Sequence, residues 1–324
     1  MLNTPLCDLL GIEHPIIQGP IGPWSTAELV AAVSKAGGLG SVGTTLQSAQ
    51  EVRKQIARVR ELTDRPFAVN FTSRPFNEEA FALTLQARPR IVSFALSDPG
   101  ELVEQAHDAG ILFMQQVPTV QQAQRAAQRG VDVIIAQGSE AGGFGGTVST
   151  LALLPQVVET VSPIIPIVAA GGIADGRGMA AALLLGAQGV NIGTRFLASK
   201  EAGIGDDWKR RIVEARSEEA IKVEFADYIF PPPGPGGYET KPRVLSTSFV
   251  EEWNQRPGEA AREAERLSNE LMAAVQQGKA QELVPFTGQT TGMIQEVLPV
   301  EEIVRGMVTQ AEEALRAAPN LLEE

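Results

Sequence analysis

HPIIQGP (His14–Pro20), GLGSVG (Gly38–Gly43), FAVNFT (Phe67–Thr72), IVSFAL (Ile91–Leu96), LFMQQV (Leu112–Val117), VDVIIAQG (Val131–Gly138), PIVAAGG (Pro166–Gly172) and GVNIGTRF (Gly189–Phe196) decide the fold. Each is a short apolar run ending in small or amide residues, and a helical pattern follows. Strands of a closed parallel barrel are buried on both faces, so they read as continuous apolar runs rather than as alternating ones. Eight β-then-α units therefore predict an α/β chain folded as a (β/α)8 TIM barrel. The active face of such a barrel lies where strands feed helices. Here those ends carry Gly19-Pro20, Asn70, Gln116, Gln137-Gly138, Gly171-Gly172 and Gly193-Thr194. Amides and glycines together suit a site that hydrogen-bonds a polar ring and lets backbone N–H groups approach a phosphate.

Helices are expected between the strands over Thr26–Lys35, Ser48–Leu62, Asn77–Gln86, Pro99–Ala109, Val120–Gln128 and Gly178–Leu185, where apolar residues recur at helical spacing. Residues 1–13 read as a lead-in to the first strand. After Phe196 the pattern changes. A short amphipathic helix near Asp206–Arg216, a Pro/Gly-rich stretch from Tyr228 to Tyr238 and one long charged helix over Ser248–Gln277 precede a last helix over Pro299–Ala317. The expected division is a barrel of residues 1–196 plus 299–324, with residues 197–298 a mainly helical insertion after strand eight that covers the active face. The Pro/Gly stretch is either a mobile cover or a plain linker.

The 324 residues are 44% apolar and 20% charged, and 27 basic against 39 acidic side chains leave a formal charge of −12. That balance argues against nucleic acid or an anionic membrane as partner. No run approaches the roughly 18 apolar residues of a membrane span, so a cytoplasmic protein acting on a small molecule is expected, with a homo-oligomer left open. Cys7 alone makes an intrachain disulfide unavailable, and its place before the barrel argues for packing. His14 and His107 are the only histidines, and neither falls at the active face. No His/Cys cluster points to a metal.

Three motifs carry chemistry. Gly171 and Gly172, with Gly193 and Thr194, occupy the loops after strands seven and eight, where this barrel commonly binds phosphate. Gln137 opens the glycine-rich run QGSEAGGFGG (Gln137–Gly146), and its side chain offers both a donor and an acceptor. Glu140 in that run is a weak candidate base, since no second carboxylate accompanies it. Asn70 ends strand three at the barrel mouth, where a flavin contact competes with a plain core hydrogen bond.

PIIQGPIG (Pro15–Gly22), VNF (Val69–Phe71), AQGSEAGG (Ala136–Gly143), AAGGIADG (Ala169–Gly176) and NIGTRF (Asn191–Phe196) resemble the nitronate monooxygenase family, formerly the 2-nitropropane dioxygenases. KPRVLSTSFVEEW (Lys241–Trp253) and FTGQTTGMI (Phe286–Ile294) extend the likeness over nearly the whole chain. AAGGIADG with GTRF also resembles the phosphate site of inosine monophosphate dehydrogenase, but that enzyme needs a mid-barrel cysteine that is missing here. The resemblance implies non-covalent FMN held by Asn70, Gln137, Gly142, Gly172, Asn191, Ile192, Gly193 and Thr194. It further implies that Gly19, Pro20 and Ile21 lie along the flavin face and that Gln289 approaches from the insertion. Phe144 and Tyr228 are the expected substrate contacts. Family members usually carry histidine directly after the EAGG glycines, where this chain has Phe144. Phenylalanine cannot accept a proton, which leaves FMN binding intact and puts deprotonation of a neutral nitroalkane in question. The implied activity is oxidation of alkyl nitronates with O₂. The alternatives are an NAD(P)H-dependent FMN reductase of quinones, activated alkenes or enoyl thioesters, and a flavin-binding protein with little turnover.

Overall fold

The computed structural model of the protein describes residues 2–161, 165–232 and 236–322. The eight apolar runs form strands β1 (Ile16–Gln18), β2 (Gly40–Gly43), β3 (Phe67–Thr72), β4 (Ile91–Ala95), β5 (Leu112–Val117), β6 (Val133–Gln137), β7 (Ile167–Ala170) and β8 (Gly189–Ile192). All pair in parallel with their sequence neighbours, and β8 returns to β1. The ring closes through a bridge between Ile17 and Leu39, with Gln18 N–H donating to Leu39 O and Leu39 N–H to Ile16 O, each at 2.9 Å. The chain is thus a (β/α)8 barrel. Register sets the amides at one end: Asn70 lies opposite Gly43 and Ser93, Gln137 opposite Ala170, and Asn191 opposite Ile17 and Ala170.

The expected helices form close to their sequence bounds, as Ala27–Lys35, Ala49–Leu62, Glu78–Ala87, Leu102–Asp108, Val120–Gln128 and Gly176–Leu184. Their N-termini are fixed by side-chain caps at Thr26, Ser48, Asn77, Thr119 and Asp175, each satisfying an orphan N–H of the first turn. Helix Leu102–Asp108 is shorter than expected because Gly100, at φ +55°, lies in the turn before it. Val300–Ala317 packs against both Gly176–Leu184 and Ala27–Lys35, in the place of the eighth barrel helix.

Two elements add to the expected pattern, and one expectation needs correction. The N-terminal lead-in contains a helix, Pro5–Leu10, whose Leu6, Cys7 and Leu10 pack with Ile17, Leu39, Ile91 and Val168. It plugs the barrel at the end opposite the amides. Thr150–Val161 is a further barrel helix that hydrophobic spacing had not singled out. The single charged helix expected over Ser248–Gln277 is three: Ser248–Asn254, Pro257–Arg262 and Ala264–Gln276. Pro257 has no N–H for a continuing ladder and starts the second helix instead.

A small antiparallel sheet was not anticipated. Ala220–Lys222 and Gly143–Gly145 flank Lys241–Leu245, with Pro242 opposite Phe144. This sheet joins the loop after β6 to the segment after β8. In the Pro/Gly-rich stretch, Ala226–Ile229 forms a short helix and Tyr238 N–H donates to Leu96 O at 2.8 Å; Pro233, Gly234 and Pro235 lie outside the described residues. Among the described residues no helix is long and apolar enough to cross a membrane.

Candidate functional site

A cavity of about 350 Å³ opens at the C-terminal ends of the barrel strands, and all eight strand ends reach it. Gly19 to Ile21 follow β1, Thr45 and Leu46 follow β2, and Asn70, Thr72 and Arg74 come from β3 and its loop. Leu96 and Gln116 come from β4 and β5, Gln137 to Phe144 from β6, Ala170 to Ile173 from β7 and Asn191 to Thr194 from β8. Ile229, Phe230, Pro231, Phe286 and Gly288 close it from the other side, and an arm continues below helix Ala264–Gln276 past Leu271, Met272, Val275 and Val284.

Its floor is polar but sparsely charged. Asn70 is buried and donates from Nδ2 to Ser93 Oγ at 2.9 Å. Asn191 Oδ1 is buried with no hydrogen-bond partner among the described residues. Buried polar atoms normally have partners, so this oxygen marks a place for an external donor. Gly172 has φ +74°, a conformation that favours glycine, and a Cβ added there would come no closer than 3.7 Å to any atom. At Gly193 the corresponding distance is 3.8 Å. Both glycines therefore leave open space beside backbone. Gly138 and Gly142 differ: a Cβ would meet Thr150 Oγ1 at 2.0 Å or Gly288 N at 2.7 Å. Those two are glycines because chain packs on chain.

Glu140 lines the cavity, but its carboxylate accepts from Thr150 N at 2.9 and 3.0 Å and from Thr150 Oγ1 at 3.1 Å. Thr150 starts helix Thr150–Val161, where the helix dipole favours an anion. Glu140 is thus occupied in fastening the glycine-rich loop to that helix. Gly288 N–H donates to Thr194 Oγ1 at 2.9 Å, so this hydroxyl ties the insertion to the β8 loop.

The upper wall is aromatic. Phe144 packs edge-on against Phe230 at 5.3 Å between centroids and tilted against Phe286 at 6.1 Å. Arg74 Cζ lies 4.9 Å from the Phe144 ring centroid, and Arg74 Nη1 donates to Pro231 O at 2.9 Å. Arg74 is only 6% exposed, and burial pushes its pKa down, opposed by Asp227. Lys222 braces the Phe144 strand by donating to Gly145 O, Gly146 O and Lys241 O at 2.9–3.2 Å. Burial, with Arg243 next, pushes its pKa down to about 8.

The structure thus gathers Gly19, Pro20, Ile21, Asn70, Gln137, Glu140, Gly142, Phe144, Gly171, Gly172, Asn191, Ile192, Gly193 and Thr194 around one cavity. Two residues fall outside its lining. Tyr228 is 45% exposed on the short helix, while its neighbours Ile229 and Phe230 face the cavity. Gln289 is held by its backbone N–H on Glu140 O at 3.0 Å, and Gly288 and Thr290 line the cavity instead. Sequence reading missed Arg74, Phe286 and the apolar arm. Among the described lining residues Arg74 and Glu140 are the only titratable side chains.

A sequence profile described as nitronate monooxygenase matches residues 3–79 and 72–310. The chain belongs to the nitronate monooxygenase family. It is an oxidoreductase of that family, which is flavin-dependent. FabK of Thermotoga maritima superimposes with a TM-score of 0.91 at 33% identity, covering 99% of this chain and 100% of that one. A nitroalkane oxidase of Streptomyces ansochromogenes gives 0.82 at 29% identity over 97% and 99%. A (3aS,4S,5R,7aS)-5-hydroxy-7a-methyl-1-oxo-octahydro-1H-indene-4-carboxyl-CoA dehydrogenase of Mycobacterium tuberculosis is 36% identical over 77% of this chain and 68% of its own length.

Proposed function

We propose that this chain binds FMN across the barrel mouth and oxidises alkyl nitronates with O₂. The observation that carries the reading is a cavity with an amide and glycine floor, a buried cation and, among the described lining residues, no free base. The residues present fit FMN. Gly171–Gly172 and Gly193–Thr194 would hold the phosphate, with the open space beside Gly172 and Gly193 giving it room. Asn70, Gln137 and Asn191 would meet the polar edge of the ring, and the unpartnered Asn191 Oδ1 would accept from it. Gly19, Pro20, Ile21 and Ile192 would lie along its face, with Gly142 nearby. When bound, the flavin supplies the electron acceptor.

Phe144 stands where the family resemblance places a histidine, and Glu140 is committed to Thr150. The site therefore takes up a substrate whose proton has already left, which a nitronate is and a nitroalkane is not. Residues 1–196 with 299–324 would form the flavin barrel, and residues 197–298 the cover that supplies Phe230 and Phe286 to exclude water. O₂ uptake with a nitronate, set against NAD(P)H oxidation with an acceptor, tests the reading. Nitronate-dependent uptake supports it; activity only with NAD(P)H, or no turnover at all, would reject it.

The apolar arm favours a second reading. Leu271, Met272, Val275 and Val284 offer a lined path for a long hydrocarbon body, and the M. tuberculosis relative is named for a carboxyl-CoA substrate. On that reading the chain reduces quinones, activated alkenes or enoyl thioesters with NAD(P)H.

A further inference from the structure

Arg74 is a buried guanidinium at the cavity whose donors the fold satisfies only in part. It is 94% buried, and no carboxylate among the described residues lies within ion-pair distance of it. Of its donors, Nη1 is taken by Pro231 O, while Nε is buried without a partner. Its Cζ lies over the Phe144 ring and its side chain lines the cavity. The nearest acidic influence, Asp227, is on an exposed helix position across the cover. A buried charge left unpaired is costly, and a guanidinium is built to hold two oxygens at once.

We propose that Arg74 is the anion anchor of this site, taking a planar two-oxygen head of the substrate between the aromatic wall and the flavin face. The inference rests on the site assigned above and narrows its substrate to a compact anion, with the apolar part directed along Phe230 and Phe286 toward the arm. Phe144 serves as the platform that keeps the guanidinium in place. An uncharged residue at position 144 also avoids a competing cation or carboxylate beside Arg74. Nothing in this arrangement needs a proton to move.

The test uses the purified holoenzyme and two non-reacting probes of equal shape, isobutyrate and isobutyramide, titrated by calorimetry. Isobutyrate mimics the planar head of a branched nitronate; isobutyramide removes its charge. Wild type should bind isobutyrate about 10- to 100-fold tighter than the amide, as expected for a charge-assisted hydrogen-bonded pair. Arg74→Gln should erase that preference, and Arg74→Lys should keep part of it. A purely structural Arg74 would instead lower flavin content or melting temperature and leave the preference unchanged. Equal binding of the two probes by wild type overturns the proposal even if Arg74→Gln fails to fold. Should the preference hold while no nitronate is oxidised, the anion site stands and the nitronate reading falls.

Discussion

Replacing Phe144 by histidine puts a base where the site lacks one, and the structure sets how large the gain should be. The ring packs on Phe230 at 5.3 Å and on Phe286 at 6.1 Å. Aromatic pairs contribute about 0.5–1.5 kcal/mol each beyond their area, so Phe144→His should cost roughly 1–3 kcal/mol and still fold. The new imidazole would stand near Arg74, whose Cζ is 4.9 Å from the present ring centroid. Two cations at that distance repel by about 3 kcal/mol at an effective dielectric of about 20. Arg74 would therefore hold the new histidine well below its ordinary value and neutral at pH 7. It would be a base, though a weak one. General bases contribute about 10²–10⁴-fold; a depressed pKa and an unoriented ring should reduce that to about 10–100-fold. Oxygen uptake with a neutral nitroalkane should rise by that factor and stay flat between pH 6 and 8, while nitronate oxidation changes less than about 3-fold. Wild type oxidising nitroalkane as fast as nitronate would refute the reasoning, and Glu140 would become the first base to test.

Other consequences follow from the same geometry. Gly172→Asp strains a φ of +74° and places a second carboxylate close to Glu140, whose Oε1 lies 3.7 Å from the added Cβ. Its FMN content after purification should fall to near zero, and normal content would remove the phosphate assignment. Phe230→Ala takes one face off the aromatic wall and should raise the substrate KM about 5- to 10-fold with flavin retained; an unchanged KM would make the cover a linker. Burial pushes Lys222 in the folded chain down to about 8 from an ordinary 10.5. The unfolded chain therefore binds more protons between those values, and stability should rise with pH across that window. Lys222→Met should flatten this rise in a series of melting curves; an identical slope would place the dependence elsewhere.

Barrel strands were legible because burial on both faces leaves a local signature: IVSFAL or VIIAQ cannot be read as half-solvated. The amides of the mouth followed from strand ends, since register in a barrel is shared by neighbours. What lay between distant segments was not legible. Gly143–Gly145 reads as a flexible loop until it pairs with Lys241–Leu245 nearly a hundred residues on. Phe144, Phe230 and Phe286 have no spacing that announces a cluster. Arg74 looked like any loop arginine, because burial of a long cation depends on the cover that closes over it. In Ser248–Gln277, charge patterning continued through a break that Pro257 had already made.

The central claim is that an FMN-loaded, base-free site takes electrons from an anion. Anaerobic titration of the purified holoenzyme with an alkyl nitronate, and separately with NAD(P)H, tests it most directly. Nitronate should bleach the oxidised flavin's visible absorbance while the matching neutral nitroalkane does so about 100-fold more slowly, the general-base contribution that Phe144 withholds. A flavin left oxidised by nitronate but bleached by NAD(P)H would contradict it.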